Sequence, residues 1–267
     1  MIKLRNVRLS ATANAQLKIW QAGVDGVGDY AARVITADKE FSRRNRKSNP
    51  TFRDIRAALT RMCSGERRCC YCEDSQANQV EHIKPKSLYP ELVFAWPNYL
   101  YACAICNSPK NNRFAIFDAT NNVIDVTRQN NHAITPPQRG EPVLFNPRSE
   151  DPTAWMQLDL LSTFLFVPIA VAGSKEFKRA EYTIGLLDLN RDLLPEARKR
   201  AFGGYRAQLY EYIEKRNAGA SNQYLSLLEK AIRTMPHPTV WFEIKRQHHK
   251  IPELKKLFTK VPQALNW

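Results

Sequence analysis

Apolar residues recur at spacings of three and four near the N-terminus and again throughout the last third of the chain. This spacing places them on one face of an α-helix. In the N-terminal part it predicts helices over residues 11–22, 29–41 and 51–62. In the last third it predicts helices over residues 177–187, 193–215 and 222–234. Most of the regular structure is therefore expected to be helical.

The middle of the chain has a different pattern. A short strand is expected over residues 79–83 and a loop over residues 87–97. Residues 117–148 are rich in Asn, Thr, Pro and Gln, which predicts loop with short strands. The apolar residues 158–171 predict two strands of a hairpin or small sheet. The expected fold class is therefore α+β, rich in helix.

Two Cys-x-x-Cys pairs, Cys69/Cys72 and Cys103/Cys106, enclose the predicted strand and loop. Four thiolates presented from two tight turns suit tetrahedral Zn²⁺, because each pair directs two sulfurs at one ion. The choice of Cys69 over the adjacent Cys70 rests on the spacing alone. The alternative is that unrelated buried cysteines share this spacing by chance.

Four polar residues in the same stretch offer chemistry that a purely structural zinc site does not require: Glu81, His82, Asn98 and Asn107. His82 suits a general base, because imidazole has a reference pKa near 6.5. Glu81 and Asn107 offer oxygen atoms, which suit a hard ion such as Mg²⁺ or Mn²⁺. Each has a plainer interpretation: His82 as a structural histidine, Asn98 as the cap of a helix starting at residue 99, and Asn107 as a turn residue.

Together with the C-x-x-C-N-x-x-K run at 103–110, these residues resemble the HNH endonucleases of the His-Me finger, or ββα-metal, superfamily over residues 69–113. The resemblance implies a small zinc-stabilised finger embedded in a mainly α-helical protein. It implies that Glu81 and Asn107 bind the catalytic divalent ion, that His82 is the base, and that Asn98 orients the intervening loop. The usual acidic residue of the family is Asp, so Glu81 is a departure from the pattern.

The resemblance suggests four segments along the chain. Residues 1–64 form an N-terminal helical platform and residues 65–118 the HNH nuclease core with its zinc site of four cysteines. Residues 119–175 form a segment of loop and short strands, and residues 176–267 a C-terminal helical region.

A looser resemblance covers residues 65–200 and includes the phrase TIGLLDLNRDLLPEAR at 183–198. It points to the HNH proteins of bacterial antiphage systems, the PtuB-like nucleases of Septu and retron systems, with the nuclease subunit of type II Zorya as a related alternative. This resemblance implies an endodeoxyribonuclease that hydrolyses DNA in antiphage defence, with a partner ATPase or other defence subunit. A catalytically silent nucleic-acid-binding module and an ATPase-docking subunit are the competing hypotheses.

Positive charge favours a polyanionic partner. The chain has 40 Lys and Arg against 26 Asp and Glu, a formal charge of +14. Lys84, Lys86, Lys110 and Arg113 surround the predicted site and are expected to contact the DNA backbone. A solvated basic face, an acidic protein or a membrane surface are the alternatives that charge alone leaves open.

Two further expectations concern location and pH. The first 16 residues lack an apolar run of signal-peptide length, and residues 158–173 fall short of the roughly 20 residues of a membrane helix, so we expect a cytoplasmic protein without membrane contact. If neutral His82 is the base, the cleavage rate should fall as the pH drops through roughly 6.5 or the shifted pKa of His82.

Overall fold

The computed structural model describes residues 1–267 and confirms the α+β fold class. The helices are Ala11–Asp25 (α1), Tyr30–Arg44 (α2), Pro50–Met62 (α3), Ala104–Lys110 (α4), Lys175–Leu186 (α5), Leu193–Asn217 (α6), Asn222–Thr234 (α7), Pro238–Gln247 (α8) and Pro252–Lys260 (α9). The strands are Gln79–His82 (β1), Tyr99–Ala102 (β2), Ala115–Phe117 (β3), Val123–Asp125 (β4), Glu141–Pro142 (β5), Met156–Leu158 (β6) and Phe166–Pro168 (β7). All six helices expected from periodicity are present, within a few residues of their predicted ends.

The strands form three small antiparallel sheets. β1 pairs with β2 in a register that sets Gln79 opposite Ala102 and His82 opposite Tyr99. β3 lies between β4 and β5, and β6 pairs with β7 as the predicted hairpin. A two-stranded ribbon of this length is marginal on its own, so the β1–β2 and β6–β7 pairs depend on the surrounding helices for stability.

The N-terminal helices begin at side-chain caps. Ser10 Oγ accepts the backbone N–H of Ala13 at the start of α1, and Asp29 Oδ1 accepts that of Ala32 at the start of α2. Asn49 caps α3 in the same way. Such caps satisfy backbone donors that have no partner within the helix, so they fix where each helix starts.

Aromatic side chains join these helices to the β1–β2 ribbon. Phe52 of α3 is fully buried, with its ring centroid 6.0 Å from that of Trp20 and 5.6 Å from that of Phe41. The Phe52 ring is also 6.5 Å from that of Tyr99 on β2. Rings at these separations bury large apolar areas. The helical platform is therefore packed directly against the strands that carry the predicted site.

The C-terminal helices complete the same core. Trp241 of α8 stacks on Tyr205 of α6 at 5.4 Å, and α8 and α9 each begin with a proline, a residue suited to the first helical turn. One hydrophobic cluster of 55 buried residues includes side chains from all four predicted segments. The predicted segment boundaries stay a prediction. None of the helices combines the length and the apolar character needed to cross a membrane.

A buried ionic group fixes the turn that carries the first cysteine pair. Glu73 follows Cys72 and adopts a positive φ of 63°. Its carboxylate lies 3.1 Å from the amino nitrogen of Met1 and accepts the backbone N–H of Thr239 at the start of α8. The turn is thus tied to both the beginning of the chain and the C-terminal helices.

Candidate metal centre and active site

Four buried cysteines converge on one point. The Sγ atoms of Cys69, Cys72, Cys103 and Cys106 all lie within 4.8 Å of one another. The Cys72 and Cys103 sulfurs are 3.9 Å apart. A tetrahedral Zn²⁺ with bonds of about 2.3 Å requires sulfurs about 3.8 Å apart. The cluster can therefore hold a metal ion such as zinc.

The ribbon and α4 bring these sulfurs together. Cys103 is the residue before α4, and Cys106 lies in its first turn. The Cys69 turn is held against β2, because the backbone N–H of Cys70 donates to the carbonyl of Tyr101 at 3.0 Å. The Cys70 sulfur is outside the cluster, 3.9 Å from that of Cys63. The structure thus places Cys69, and not Cys70, among the four.

Nearby donors offset the negative charge of the sulfurs. Arg191 Nη1 donates to Cys106 Sγ at 3.6 Å, and the backbone N–H of Tyr71 donates to Cys69 Sγ at 3.4 Å. Hydrogen bonds from the neighbouring thiols, Cys103 first, lower the pKa of Cys72. A hydrogen bond from Cys106 also lowers the pKa of Cys103, whereas hydrogen bonds from Cys103 raise the pKa of Cys69 and of Cys106. Without a metal, the thiolate form that a metal ligand requires is therefore favoured at Cys72 and Cys103. The cysteine spacing could not indicate Arg191, which lies 85 residues beyond Cys106 in the chain.

A polar cleft lies beside the cluster, between the N-terminal helices and the β1–β2 ribbon. Its volume is about 530 Å³. Its lining residues are Phe41, Asn45, Lys47, Arg56, Asn78, Gln79, Val80, Glu81, His82, Pro85, Lys86, Asn107, Asn111 and Asn112. Three of the four predicted catalytic residues, Glu81, His82 and Asn107, therefore line one cavity.

A hydrogen bond to a backbone carbonyl fixes the tautomer of His82. Its Nε2 lies 2.9 Å from the carbonyl oxygen of Val93. Because a carbonyl only accepts, Nε2 carries the proton and Nδ1 retains its lone pair. Nδ1 has no hydrogen-bond partner in the protein. Burial against Phe41 and Tyr99 lowers the pKa of His82 to about 3, so the ring is neutral near pH 7.

Asn98 braces the loop between the two strands. Its Oδ1 accepts the backbone N–H of Lys84 at 2.8 Å, and its Nδ2 donates to the carbonyls of Lys84 and Leu92. Residues 99–102 form β2 and not a helix, so the alternative that Asn98 caps a helix there is wrong. Asn98 is buried and does not line the cleft.

Glu81 forms a buried ion pair that the sequence did not suggest. Its Oε1 lies 2.5 Å from Lys110 Nζ, without the angles of a hydrogen bond, and the two side chains are 7% and 0% exposed. Lys110 Nζ also donates to the carbonyl of His82 at 2.8 Å. Burial is the largest influence on Glu81 and raises the pKa of its carboxyl despite the ammonium. Lys110, which was expected to contact DNA, therefore has its charged group inside the protein and paired with Glu81.

Asn107 is oriented by one hydrogen bond. Its Nδ2 donates to Gln79 Oε1 at 2.7 Å, which leaves Oδ1 without a partner in the protein. The amide oxygen is the atom that a hard cation would take. Gln79, the residue that sets this orientation, had not been identified from the sequence.

The other three predicted DNA contacts lie in different places. Lys86 lines the cleft, with its Nζ 2.6 Å from Asp38 Oδ1. Lys84 lies over the ring of Tyr89 and lines a separate cavity of about 430 Å³. Arg113 is exposed but does not line the cleft. The structure therefore brings one of the four basic residues into the cavity with His82.

Several residues of the cleft were not identified as site residues from the sequence. Lys47 belongs to the basic run at 43–47, which was visible as charge but could not be placed relative to His82. Arg56 and the amides Asn45, Asn78 and Asn111 carried no recognisable motif. Lys47, Asn45 and Arg56 come close to His82 only through the packing of α2 and α3 against the ribbon.

Comparisons with known proteins find no protein-family model that matches the chain. Part of the chain is similar to a protein of a Septu system. That protein is the Septu protein PtuB of Bacillus thuringiensis, with 41% identity over 61 residues. The aligned part covers 21% of this chain and 23% of that protein. The similarity is therefore local.

The Lys110–Glu81 pair predicts a large loss of stability when the lysine charge is removed. Lys110→Met keeps most of the apolar stem but leaves a buried carboxylate unpaired, which should cost about 3–5 kcal/mol. Arg113→Ala, at an exposed position of the same basic group, should change stability by less than about 0.5 kcal/mol. Urea unfolding measures both, and equal stabilities of the two variants would contradict the buried pairing.

His82 predicts a pH dependence of stability. Its folded pKa of about 3 lies below the unfolded value near 6.5, so between these values the unfolded chain binds the proton and the folded chain does not. Stability should therefore fall as the pH drops, by about 2 kcal/mol between pH 7 and 5 from this group.

The measurement is urea unfolding at both pH values for the wild-type protein and His82→Phe. The wild-type protein should lose about 2 kcal/mol more than the variant. An equal loss in both would mean that His82 titrates normally in the folded protein. His249→Ala, at an exposed position, serves as the control and should behave as the wild type.

Proposed function

We propose that the protein is a metal-dependent HNH-type endonuclease that hydrolyses phosphodiester bonds of DNA in a bacterial antiphage defence system. The observation that carries this proposal is the presence of Glu81, His82 and Asn107 in one polar cleft beside the four-cysteine cluster. A purely structural zinc module does not need a neutral histidine and two oxygen ligands in a common cavity.

His82 is the general base of the proposed reaction. Its Nδ1 takes a proton from water as the water oxygen bonds to phosphorus, and the bond between phosphorus and the leaving sugar oxygen breaks. The carbonyl of Val93 keeps the ring in the tautomer that leaves Nδ1 free. Because burial lowers the pKa of His82 to about 3, the base stays unprotonated at pH 5 to 8. The inflection near pH 6.5 expected from the sequence moves to lower pH.

Glu81 and Asn107 would hold the catalytic ion, Mg²⁺ or Mn²⁺. The donor set fits a hard cation, since Asn107 Oδ1 has no protein partner and the Glu81 carboxylate faces the same cleft. Such an ion supplies positive charge for the non-bridging and leaving oxygens of the phosphate. Lys110 adds a fixed positive charge beside Glu81 and holds the backbone of His82 in place. Asn98 keeps the intervening loop in the conformation that positions Val93 for His82.

The four cysteines have a separate, structural role in this proposal. A closed site of four thiolates binds Zn²⁺ without leaving a position for water or substrate. Its ligands come from the segment before β1 and the segment after β2, which meet at the end of the ribbon where Gln79 pairs with Ala102. Zinc bound there would stabilise the fold of the site, and the ion held by Glu81 and Asn107 would supply the positive charge for the reaction.

The defence role and the partner are supported by the local similarity to the Septu protein PtuB. Together with the sequence resemblance to PtuB-like nucleases, it supports action beside other defence-system subunits, an ATPase among them. The net charge of +14 supports DNA as the polyanion that is bound.

One observation favours a second function, a nucleic-acid-binding module without catalysis. Lys110 already places a cation at Glu81 Oε1, where the family pattern places the metal. If the ammonium replaces the ion permanently, the cleft would bind DNA without cutting it. The two functions give different results in one experiment.

That experiment incubates supercoiled plasmid with the purified protein in Mg²⁺, Mn²⁺ or EDTA. The nuclease should nick or cut with either ion and not with EDTA. His82→Ala should lower the rate by roughly 10² to 10⁴ fold while keeping DNA affinity, because only the base is removed. The matched control, His249→Ala, changes an exposed histidine and should cut as the wild type does.

The outcomes separate the two functions. Cleavage by His82→Ala at the wild-type rate would remove His82 from the mechanism. DNA binding by the wild-type protein without cleavage in either ion would support the binding module.

A further inference from the structure

Part of the wall of the cleft belongs to the N-terminal helices and the segment between them. Asn45 follows α2, Lys47 lies in the segment 45–49 between α2 and α3, and Arg56 lies on α3. We call residues 45–49 the α2–α3 loop. None of these residues is part of the cysteine-bounded finger, yet all three line the same cavity as Glu81 and His82.

The basic run that ends in this loop is only partly neutralised. Arg43 and Arg44 both pair with Glu40, with nitrogen–oxygen distances of 2.7 and 2.6 Å. Arg46 and Lys47 form no ion pair. Of these two, only Lys47 lines the cleft, and it is exposed. A charge with no partner within the protein remains available to an anionic ligand.

The loop is held in one conformation. Arg56 donates to the carbonyls of Arg46 and Asn45 at 3.3 and 3.2 Å, and also to the side-chain oxygen of Asn45. Asn49 caps α3 through the N–H of Phe52. Because the backbone is fixed before any ligand arrives, little conformational entropy is lost there on binding.

The chemistry of the lining suits a nucleic acid strand. Three cations line the cleft, but Arg56 is engaged with backbone carbonyls and Lys86 is paired with Asp38. Lys47 is therefore the lining cation without a partner. Six amides complete the polar lining: Asn45, Asn78, Gln79, Asn107, Asn111 and Asn112. Lysine binds backbone phosphates, and amides bind phosphates, sugars and base edges.

We infer that the α2–α3 loop is a nucleic-acid-binding element, in which Lys47 binds a backbone phosphate in the cleft that also contains His82. The inference deepens the proposed function and rests on it for the identity of the ligand. It places the bound strand between the N-terminal helices and the finger, so both walls contribute to binding. If the loop is only solvated, replacing Lys47 should change DNA binding no more than replacing any other exposed lysine of the chain.

The test measures the affinity of a fluorescent DNA duplex over a salt series in EDTA, where no cleavage occurs. Lys47→Ala is compared with Lys47→Arg and with Lys256→Ala, which removes one exposed charge from α9. Loss of one phosphate contact should reduce the slope of log affinity against log salt by about 0.9 and weaken binding about eightfold at 0.1 M salt. Lys47→Arg should keep both close to wild type. Lys256→Ala should also bind as the wild type does.

Each outcome decides the inference. If Lys47→Ala and Lys256→Ala bind equally well, or if the wild-type protein does not bind the duplex, the inference is wrong. Thermal melting confirms that each variant is folded, which the exposure of Lys47 leads us to expect.

Cleavage of plasmid by the wild-type protein is measured separately, so the two proposals can fail independently. Weaker binding by Lys47→Ala without cleavage by the wild type would support the inference and contradict the nuclease. Cleavage by the wild type, with no effect of Lys47→Ala on binding, would support the nuclease and contradict the inference.

Discussion

Four buried sulfurs within 4.8 Å of one another are the constraint on which the finger depends. The ribbon between the cysteine pairs has only four residues in each strand, too few to be stable alone in water. Four thiolates so close would repel each other strongly unless a cation neutralised them. A metal ion at this point would join the chain that enters β1 to the chain that leaves β2, at the end of the ribbon where Gln79 pairs with Ala102. Arg191 links the C-terminal half of the chain to the same cluster.

Some residues of the aromatic core next to this cluster also contact the proposed base, His82. Phe41 and Tyr99 belong to the aromatic core, and they also surround the His82 ring. Their contact with the ring buries most of it, which keeps the imidazole neutral, and the carbonyl of Val93 orients it. The ion pair of Lys110 and Glu81 is buried below the same strand. The helical platform thus determines the properties of the proposed base as well as the stability of the fold.

The sequence predicted what depends on local order along the chain. Helical periodicity located six helices, and spacing identified the four cysteines correctly, Cys69 among them. It could not predict burial, so Lys110 was taken as a surface cation when it is a buried partner of Glu81. It could not predict which distant residues meet, so Lys47 and Arg56 were not placed beside His82. Capping chemistry suggested a helix after Asn98, where pairing with β1 produces a strand.

Zinc content is the measurement that tests the organisation of the finger most directly. The purified wild-type protein should contain one zinc ion per chain, and Cys103→Ala should lose both the zinc and much of its thermal stability, because metal binding contributes to folding. Cys63→Ala removes a buried thiol outside the cluster and should retain the zinc. A Cys103→Ala variant that stays folded with its zinc, or a wild-type protein equally stable without metal, would contradict the account.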